Sequence, residues 1–301
     1  MKNIFQGTFT ALITPFKSNK EEISSIDFKA FDKIIESQIK NGVEGVVVCS
    51  TTGEGATLTA KEKAAIITRA VETAKGRIAV IANTGTCETE ETYNMSTIAK
   101  EHGADGIMMI APYYVKPTQE GIFEHFHLVA SRLSDIPIMI YNCPSRTGVN
   151  IHPETLLRLT ESCKNVMAVK EASGDIEQIQ HIINFAPDYF NVLSGDDSLA
   201  LPVIALGGKG CVSVISNYAP KMFSDLVRLA MKGKIKEARD IHYKLLEMMD
   251  LNFIESNPIP VKFIMASLGY IKDEIRMPLL PLNNDYRKLI KDALKMAGIK
   301  R

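Results

Sequence analysis

The chain has 301 residues, of which 46% are hydrophobic and 23% charged, so it can bury one large core or two ordinary ones. Its 35 basic side chains balance 35 acidic ones, which leaves no overall field to attract nucleic acid or an anionic membrane. No stretch approaches the roughly 18 apolar residues of a membrane span, and the N-terminus lacks a signal-peptide pattern. We therefore expect a soluble, cytoplasmic protein that binds neither nucleic acid nor membranes.

Eight short apolar runs recur along the chain and predict β-strands. They lie at residues 8–14, 46–49, 78–81, 106–110, 136–141, 166–169, 190–193 and 210–214. Amphipathic stretches with helical spacing separate them, at residues 27–40, 60–75, 89–102, 120–133 and 175–186. Alternating strands and helices imply a parallel sheet, and continuously apolar strands imply burial on both faces. The pattern predicts an α/β fold, a (β/α)8 TIM barrel, with an open doubly wound sheet as the alternative.

No linker rich in Pro, Gly or Ser interrupts this series before about residue 232. Beyond that point, residues 234–253, 260–268 and 285–297 have the pattern of helices without intervening strands. We therefore divide the chain into a barrel at residues 1–232 and a C-terminal helical segment at residues 233–301.

Metal and nucleotide sites are not indicated. The five cysteines are scattered singly, without C-x-x-C spacing, so we expect reduced thiols rather than disulfides or a zinc site. His125 and His127 lie two residues apart on a predicted helix and would point to different faces. The glycines at residues 207–210 lack the other elements of a phosphate loop. We predict no metal and no other cofactor.

Lys170 follows the sixth predicted strand, where a parallel barrel displays its catalytic groups. A lysine that apolar neighbours screen from water can lose its proton and attack a ketone. At an ordinary pKa of about 10.4, only about one lysine in a few thousand is a free amine at pH 7. The alternative is a solvated lysine or an ion pair with an acid such as the adjacent Glu171, so catalysis requires burial or a nearby positive charge.

The segment YNCPSRTG ends the fifth predicted strand at Tyr141. Because the fifth and sixth strands are sequential, Tyr141 and Lys170 would be neighbours in a barrel, where a phenol can exchange protons with an amine. Arg146 lies on a loop that Pro144 stiffens, and its planar fork suits a carboxylate or a phosphate. A structural pairing of Arg146 with an acid is the alternative.

The loop STTGEG at residues 50–55 follows the second predicted strand and precedes a capping box at Thr59 and Glu62. Its glycines allow the backbone to approach an anion, so its amides could hold a carboxylate. A plain strand-to-helix turn is the alternative. After the fourth strand, PYYVKP at residues 112–117 holds two tyrosines between prolines, a pattern more common in packing and interfaces than in catalysis.

Seven motifs together carry a family resemblance over almost the whole chain: STTGEGATLT, APYYVKPTQEG, YNCPSRTG, AVKEASGD, LSGDDS, GGKGCVSV and ESNPIPVK. In this order and spacing they resemble the dihydrodipicolinate synthase and N-acetylneuraminate lyase family. The resemblance implies a (β/α)8 barrel with C-terminal helices and a lyase of the class I aldolase type, without a cofactor. In such enzymes a lysine forms a Schiff base with pyruvate or a related 2-oxo acid. A homo-oligomer, as a tetramer built from dimers, is also implied.

The PSRTG context of Arg146 resembles the branch of the family that condenses pyruvate with L-aspartate 4-semialdehyde in the diaminopimelate route of lysine biosynthesis. The resemblance assigns imine formation to Lys170 and proton transfer at the imine to Tyr141. It implies that Thr51 connects Tyr141 to Tyr114, which would reach in from a neighbouring subunit.

The same resemblance assigns substrate binding. The amides of Thr51 and Thr52 would hold the carboxylate of pyruvate, and Arg146 would hold that of the semialdehyde. Gly195 and Val212 would line the pocket through their backbone. Two other functions stay open: an aldolase that uses a sugar-acid or N-acetylneuraminate aldehyde, and a non-catalytic sensor that binds a 2-oxo acid.

Members of this family can be inhibited by lysine at a separate site on a dimer interface. Tyr113 and Glu91 match that site by resemblance. Inhibited forms often carry histidine and asparagine at positions that here hold Ala60, Lys63 and Cys87. Because an additional ammonium at Lys63 would repel a cationic ligand, we expect weak or absent inhibition by lysine.

Overall fold

The computed structural model describes residues 3–17 and 25–300, and its eight parallel strands form a closed barrel. The strands are β1 (Gly7–Ala11), β2 (Gly45–Val48), β3 (Ala79–Asn83), β4 (Gly106–Ile110), β5 (Ile138–Asn142), β6 (Val166–Glu171), β7 (Asn191–Ser194) and β8 (Gly210–Ser213). Each strand pairs with the next, and β8 closes the barrel by pairing in parallel with β1. The predicted (β/α)8 barrel is confirmed, and the open doubly wound sheet is wrong.

Twelve α-helices are present in the described part of the chain. They are α1 (Phe28–Lys40), α2 (Ala60–Ala74), α3 (Thr89–Glu101), α4 (Gln119–Arg132), α5 (Pro144–Thr147), α6 (Pro153–Ser162), α7 (Ile176–Phe185), α8 (Ala200–Ala205), α9 (Pro220–Met231), α10 (Ile235–Leu251), α11 (Ile259–Ser267) and α12 (Asn284–Met296). Every helix predicted above agrees with one of these to within two residues at each end. None of the described helices is both long enough and apolar enough to cross a bilayer.

The first strand is shorter than the sequence pattern predicts. β1 ends at Ala11 rather than at residue 14, and the amide of Ile13 donates to Asn217 Oδ1 at 3.1 Å instead of to a neighbouring strand. Asn217 Nδ2 in turn donates to the Ala11 carbonyl at 2.8 Å. A side chain from the turn after β8, the strand that closes the barrel onto β1, therefore takes the place of a strand partner for Ile13.

The barrel interior is filled by side chains from alternate strand positions. Phe9 and Ala11 point inward, whereas the intervening Thr10 points outward and its hydroxyl donates to Gln38 of α1 at 2.7 Å. Met139 and Val212 belong to the same buried interior cluster. Because this plug is apolar and fully buried, polar chemistry is confined to the carboxyl ends of the strands above it.

The last three helices follow the barrel and cover one side of it. α10 packs against α8, α9 and α12, and α11 contacts the turn at Ile215–Asn217 that follows β8. α9 ends at Met231 and α10 begins at Ile235. The C-terminal segment thus lies beside the carboxyl end of β8, next to the catalytic face.

Candidate active site

Lys170 of β6 and Tyr141 of β5 occupy facing positions in the barrel wall. Both side chains point inward. Lys170 lies two positions after Ala168, and Tyr141 lies two positions after Met139, and both of these earlier residues belong to the interior cluster. The Lys170 Nζ atom lies 4.2 Å from the centroid of the Tyr141 ring. The barrel therefore brings the amine and the phenol together at the tips of two adjacent strands, as the sequence order predicts.

Burial controls the ionisation of Lys170. Its side chain is only 5% exposed, and removal from water lowers the pKa of the amine below its ordinary value, although nearby Asp196 and other acidic groups oppose this. Within the described residues, Lys170 makes no salt bridge. The neutral amine is therefore more accessible here than in a solvated lysine.

Glu171 does not pair with Lys170, because it points to the opposite face of β6. Its carboxylate accepts hydrogen bonds from the Ser173 amide at 2.7 Å and from the side chains of Asn142 at 3.1 Å and Gln178 at 3.2 Å. The alternative of an adjacent ion pair is thus wrong. The sequence neighbour is held away from the amine by its own network of donors.

Tyr141 is also buried, at 4% exposure. Burial raises the pKa of its phenol well above the ordinary value, and the charge of Arg146 opposes that rise. The phenol is therefore neutral at neutral pH and can donate a proton or pass one on.

A cavity of about 460 Å³ opens above this pair at the carboxyl ends of the strands. Among the residues that line it are Lys170, Tyr141, Thr51, Thr52, Arg146 and Gly195, all predicted from the sequence. Val212 is fully buried in the interior cluster, and Val214 lines the cavity in its vicinity. Tyr114 is 89% exposed on the loop after β4 and does not line the cavity of its own chain.

Arg146 lies on α5, a single helical turn that begins at Pro144 where the sequence suggested only a stiff loop. Its Nη2 atom donates to the backbone carbonyl of Asn257 at 3.2 Å. Over residues 3–17 and 25–300, no carboxylate pairs with Arg146. The alternative of a structural ion pair is therefore wrong. Arg146 lines the cavity, so its guanidinium is placed where it can bind an anion.

Gly195 closes the wall between β6 and β7. Its amide donates to the Glu171 carbonyl at 2.6 Å. A Cβ atom at this position would lie 2.5 Å from the Cβ of Ala172. Only glycine permits this approach without a shift of the backbone, which explains why the cavity wall is backbone here.

Several lining residues had no role assigned from the sequence. Asp196 lines the cavity, and burial raises the pKa of its carboxyl while the charge of Lys170 opposes the rise. Phe253, Ser256 and Asn257 come from the C-terminal segment, more than 80 positions after Lys170 in the printed sequence. The motifs LSGDDS and ESNPIPVK marked these stretches, but nothing in their local pattern indicates which side chains face a cavity.

A second cavity of about 330 Å³ shares Thr51, Tyr141 and Arg146 with the first and extends toward Lys63 and Tyr113. Two of the positions that the sequence matched to a lysine site, Tyr113 and Lys63, therefore line a cavity that also reaches Tyr141. In the described part of the chain, no cluster of three or more His, Cys, Asp or Glu side chains is arranged as a metal site would require.

A buried amine and a phenol facing one cavity at the carboxyl ends of a (β/α)8 barrel define an imine-forming enzyme of the class I aldolase type. The chain belongs to the dihydrodipicolinate synthetase family, whose model matches residues 4–297.

Its relatives are similar over almost their whole length. The chain is 45% identical to 4-hydroxy-tetrahydrodipicolinate synthase of Endomicrobium trichonymphae, covering 98% of this chain and 99% of that protein. The crystal structure of dihydrodipicolinate synthase from Aquifex aeolicus is 44% identical, with a TM-score of 0.95 and coverage of 98% and 99%. The enzyme from Cyanidioschyzon merolae, solved with lysine bound, is 35% identical, with a TM-score of 0.94 and coverage of 99% of both chains.

The depressed pKa of Lys170 predicts a shifted pH dependence of its reactivity. Below the pKa the amine is protonated and inert, so a lower pKa moves the onset of acylation to lower pH. Trace labelling with acetic anhydride and peptide mass analysis should give a lower pKa for the Lys170 amine than for the side-chain amine of Nα-acetyl-lysine amide. The pKa of that standard is about 10.4. Titration at or above the standard would contradict the prediction.

Proposed function

We propose that this chain catalyses the reaction for which its relatives are named, that of a 4-hydroxy-tetrahydrodipicolinate synthase. Pyruvate would condense with L-aspartate 4-semialdehyde through a Schiff base on Lys170, in the diaminopimelate route of lysine biosynthesis. The observation that carries the proposal is the contact between the Lys170 amine and the Tyr141 ring, 4.2 Å apart at the base of a cavity that Arg146 also lines.

The first half of the reaction needs a neutral amine and a proton donor. Lys170 Nζ attacks the ketone carbon of pyruvate, and the tetrahedral adduct loses its hydroxyl as water when Tyr141 supplies a proton. The Tyr141 oxygen, which has given up its proton, then takes one from the methyl carbon, and the imine becomes an enamine. Thr51, which lines the same cavity, would give Tyr141 a route for exchanging that proton.

In the second half, the enamine carbon attacks the aldehyde carbon and forms the new carbon–carbon bond. The aldehyde C=O π bond breaks, its oxygen takes up a proton to become a hydroxyl, and the enamine becomes an imine on Lys170 again. The amino group of the semialdehyde then attacks the imine carbon, and the ring closes as the Lys170 nitrogen leaves with a proton. The free amine is regenerated, so the reaction needs no added oxidant or reductant.

Two anion sites would orient the substrates. Thr51 and Thr52 line the cavity above Lys170 and Tyr141, and their backbone amides would suit the carboxylate of pyruvate. Arg146, which has no acidic partner among the described residues, suits the carboxylate of the semialdehyde. Backbone atoms of Gly195 complete the wall, and the assignment of Val212 to the pocket stays a prediction.

A homo-oligomer is part of the proposal, with a tetramer built from dimers as its form. Tyr114 has a left-handed backbone with a φ of 72° and projects from its own barrel, between Tyr113 at 38% and Val115 at 58% exposure. A side chain placed this way suits a role in the proton relay of a neighbouring subunit. We also place the enzyme in the cytoplasm, in agreement with five unpaired thiols.

The Schiff base is directly testable. Incubation with pyruvate and sodium borohydride should reduce the imine and leave a pyruvyl adduct on Lys170, detected by peptide mass analysis. Lys170→Arg keeps the charge but cannot form the imine, and should show no adduct at that position. An unmodified Lys170 in the wild-type enzyme would contradict the mechanism. It would favour the alternative hypothesis of a non-catalytic sensor that binds a 2-oxo acid.

Arg146 should determine the second substrate. Because one charged hydrogen-bonding partner contributes about 1.5–3 kcal/mol, Arg146→Ala should raise the KM for aspartate semialdehyde about 10- to 100-fold. The pyruvate concentration that half-saturates borohydride trapping should not change. Equal activity of the wild type with N-acetylmannosamine or a sugar-acid aldehyde would favour the sugar-acid aldolases instead.

Lys63 lines the second cavity together with Tyr113, so its ammonium would face a lysine ligand there. Initial rates should fall by less than half at 1 mM L-lysine, and Lys63→His should increase the sensitivity because it removes a permanent charge. Half-inhibition of the wild type at sub-millimolar lysine would contradict this prediction.

A further inference from the structure

A buried ion pair joins the loop after β2 to the C-terminal helices. Lys262 of α11 donates from Nζ to Glu54 Oε1, and the two side chains are 2% and 0% exposed. The second carboxylate oxygen of Glu54 accepts from the backbone amide of Arg276 at 2.9 Å. The Lys262 ammonium and the Arg276 guanidinium lie over the ring of Phe16, at 4.2 and 4.4 Å from its centroid. Glu54 is thus held from the C-terminal side by two donors.

Glu54 closes the turn that carries the predicted carboxylate-binding amides. Its amide donates to the Thr51 carbonyl at 3.0 Å, and its backbone is left-handed, with a φ of 56°. Left-handed backbone is unfavourable for a residue with a side chain, so surrounding contacts must hold it. Because the turn runs from Thr51 through Thr52 to Glu54, the position of Glu54 sets the orientation of the peptide groups between them.

The same C-terminal segment reaches both predicted anion sites. Asn257 Nδ2 donates to the Thr52 hydroxyl at 3.0 Å, and the Asn257 carbonyl accepts from Arg146 at 3.2 Å. Thr52, Arg146 and Asn257 line the 460 Å³ cavity, whereas Glu54 and Lys262 do not. The turn is therefore held at two separate points, Thr52 and Glu54, by one segment.

Stability alone is a weak reason for such a pair. Removing two charges from water is costly, and apolar side chains of similar volume often replace a buried pair without loss of stability. Burial lowers the pKa of Lys262, and the Glu54 carboxylate opposes this. Apolar side chains could not, however, make the directional hydrogen bonds that hold the Glu54 carboxylate in one position.

We propose that Glu54 and Lys262 are positioning residues that hold the Thr51–Thr52 turn in the geometry that binds the carboxylate of the 2-oxo acid. The inference rests on the proposed function. Neither residue lines the 460 Å³ cavity into which Lys170 projects, although Glu54 lines the adjoining 330 Å³ cavity. The proposed role of the pair is therefore to act through the turn and not by contact with the 2-oxo acid. Loss of the pair should therefore weaken pyruvate binding while leaving the Lys170–Tyr141 chemistry in place.

The experiment compares Lys262→Met with the double variant Glu54→Gln and Lys262→Met, in which no unpaired charge stays buried. The matched control is Arg287→Met, which breaks a half-exposed pair with Asp273 (3.1 Å) elsewhere in the C-terminal segment. The readouts are the pyruvate concentration that half-saturates borohydride trapping, the kcat and the melting temperature.

We expect the double variant to need about tenfold more pyruvate for half-saturation, with kcat within threefold of the wild type. The melting temperature of the double variant should be no lower than that of Arg287→Met. The pyruvate concentration that half-saturates trapping in Arg287→Met should match that of the wild type. Unchanged half-saturation in a folded double variant would overturn the proposal. Failure of both Glu54/Lys262 variants to fold, with the control folded, would assign the pair a structural role and also overturn it.

This outcome is separable from the proposed function itself. If the wild-type enzyme forms no pyruvyl adduct, the proposed function fails irrespective of the variants. If the wild type forms the adduct and the double variant traps it with the same half-saturation, only the positioning role fails.

Discussion

Exclusion of water from Lys170 is the constraint on which the rest of the structure depends. A solvated ammonium cannot attack a ketone, and only burial in the barrel favours the neutral amine. The apolar plug beneath it, with residues such as Phe9 and Met139, excludes water from below. The network that satisfies Glu171 on the outer face keeps the nearest carboxylate in the sequence from restoring the ammonium. The alternation of side chains along β6 thus points Lys170 into the barrel and Glu171 away from it.

Much of this arrangement was predictable because it follows from local periodicity. The strands and helices have clear spacing, and the rule that barrel enzymes act at the carboxyl ends of their strands places Tyr141 and Lys170 together. Short elements were less accessible: α5 is one turn long and has no periodicity to detect. The early end of β1 depends on Asn217, about 200 residues away, which no local pattern encodes.

The C-terminal segment shows the same limit more clearly. Its helices were predicted well, but nothing in their spacing connects them with the active site. The structure has Asn257 contacting Thr52 and Lys262 contacting Glu54, across separations of 205 and 208 residues. Packing between distant parts of the chain decides which polar side chain meets which, and helical spacing carries no information about that choice. The C-terminal segment therefore forms part of the cavity wall, through Phe253, Ser256 and Asn257.

The long sequence separation of the Glu54 contacts also has a consequence for biosynthesis. The turn at residues 51–54 emerges early from the ribosome, whereas its partners lie at positions 262 and 276 of a 301-residue chain. A nascent barrel can pair its strands before these partners exist, but Glu54 then has neither its ammonium nor its backbone donor. Translation must pass residue 276 before the loop acquires its final contacts, so a chain truncated before α11 would contain the segments of all eight strands and lack the ion pair.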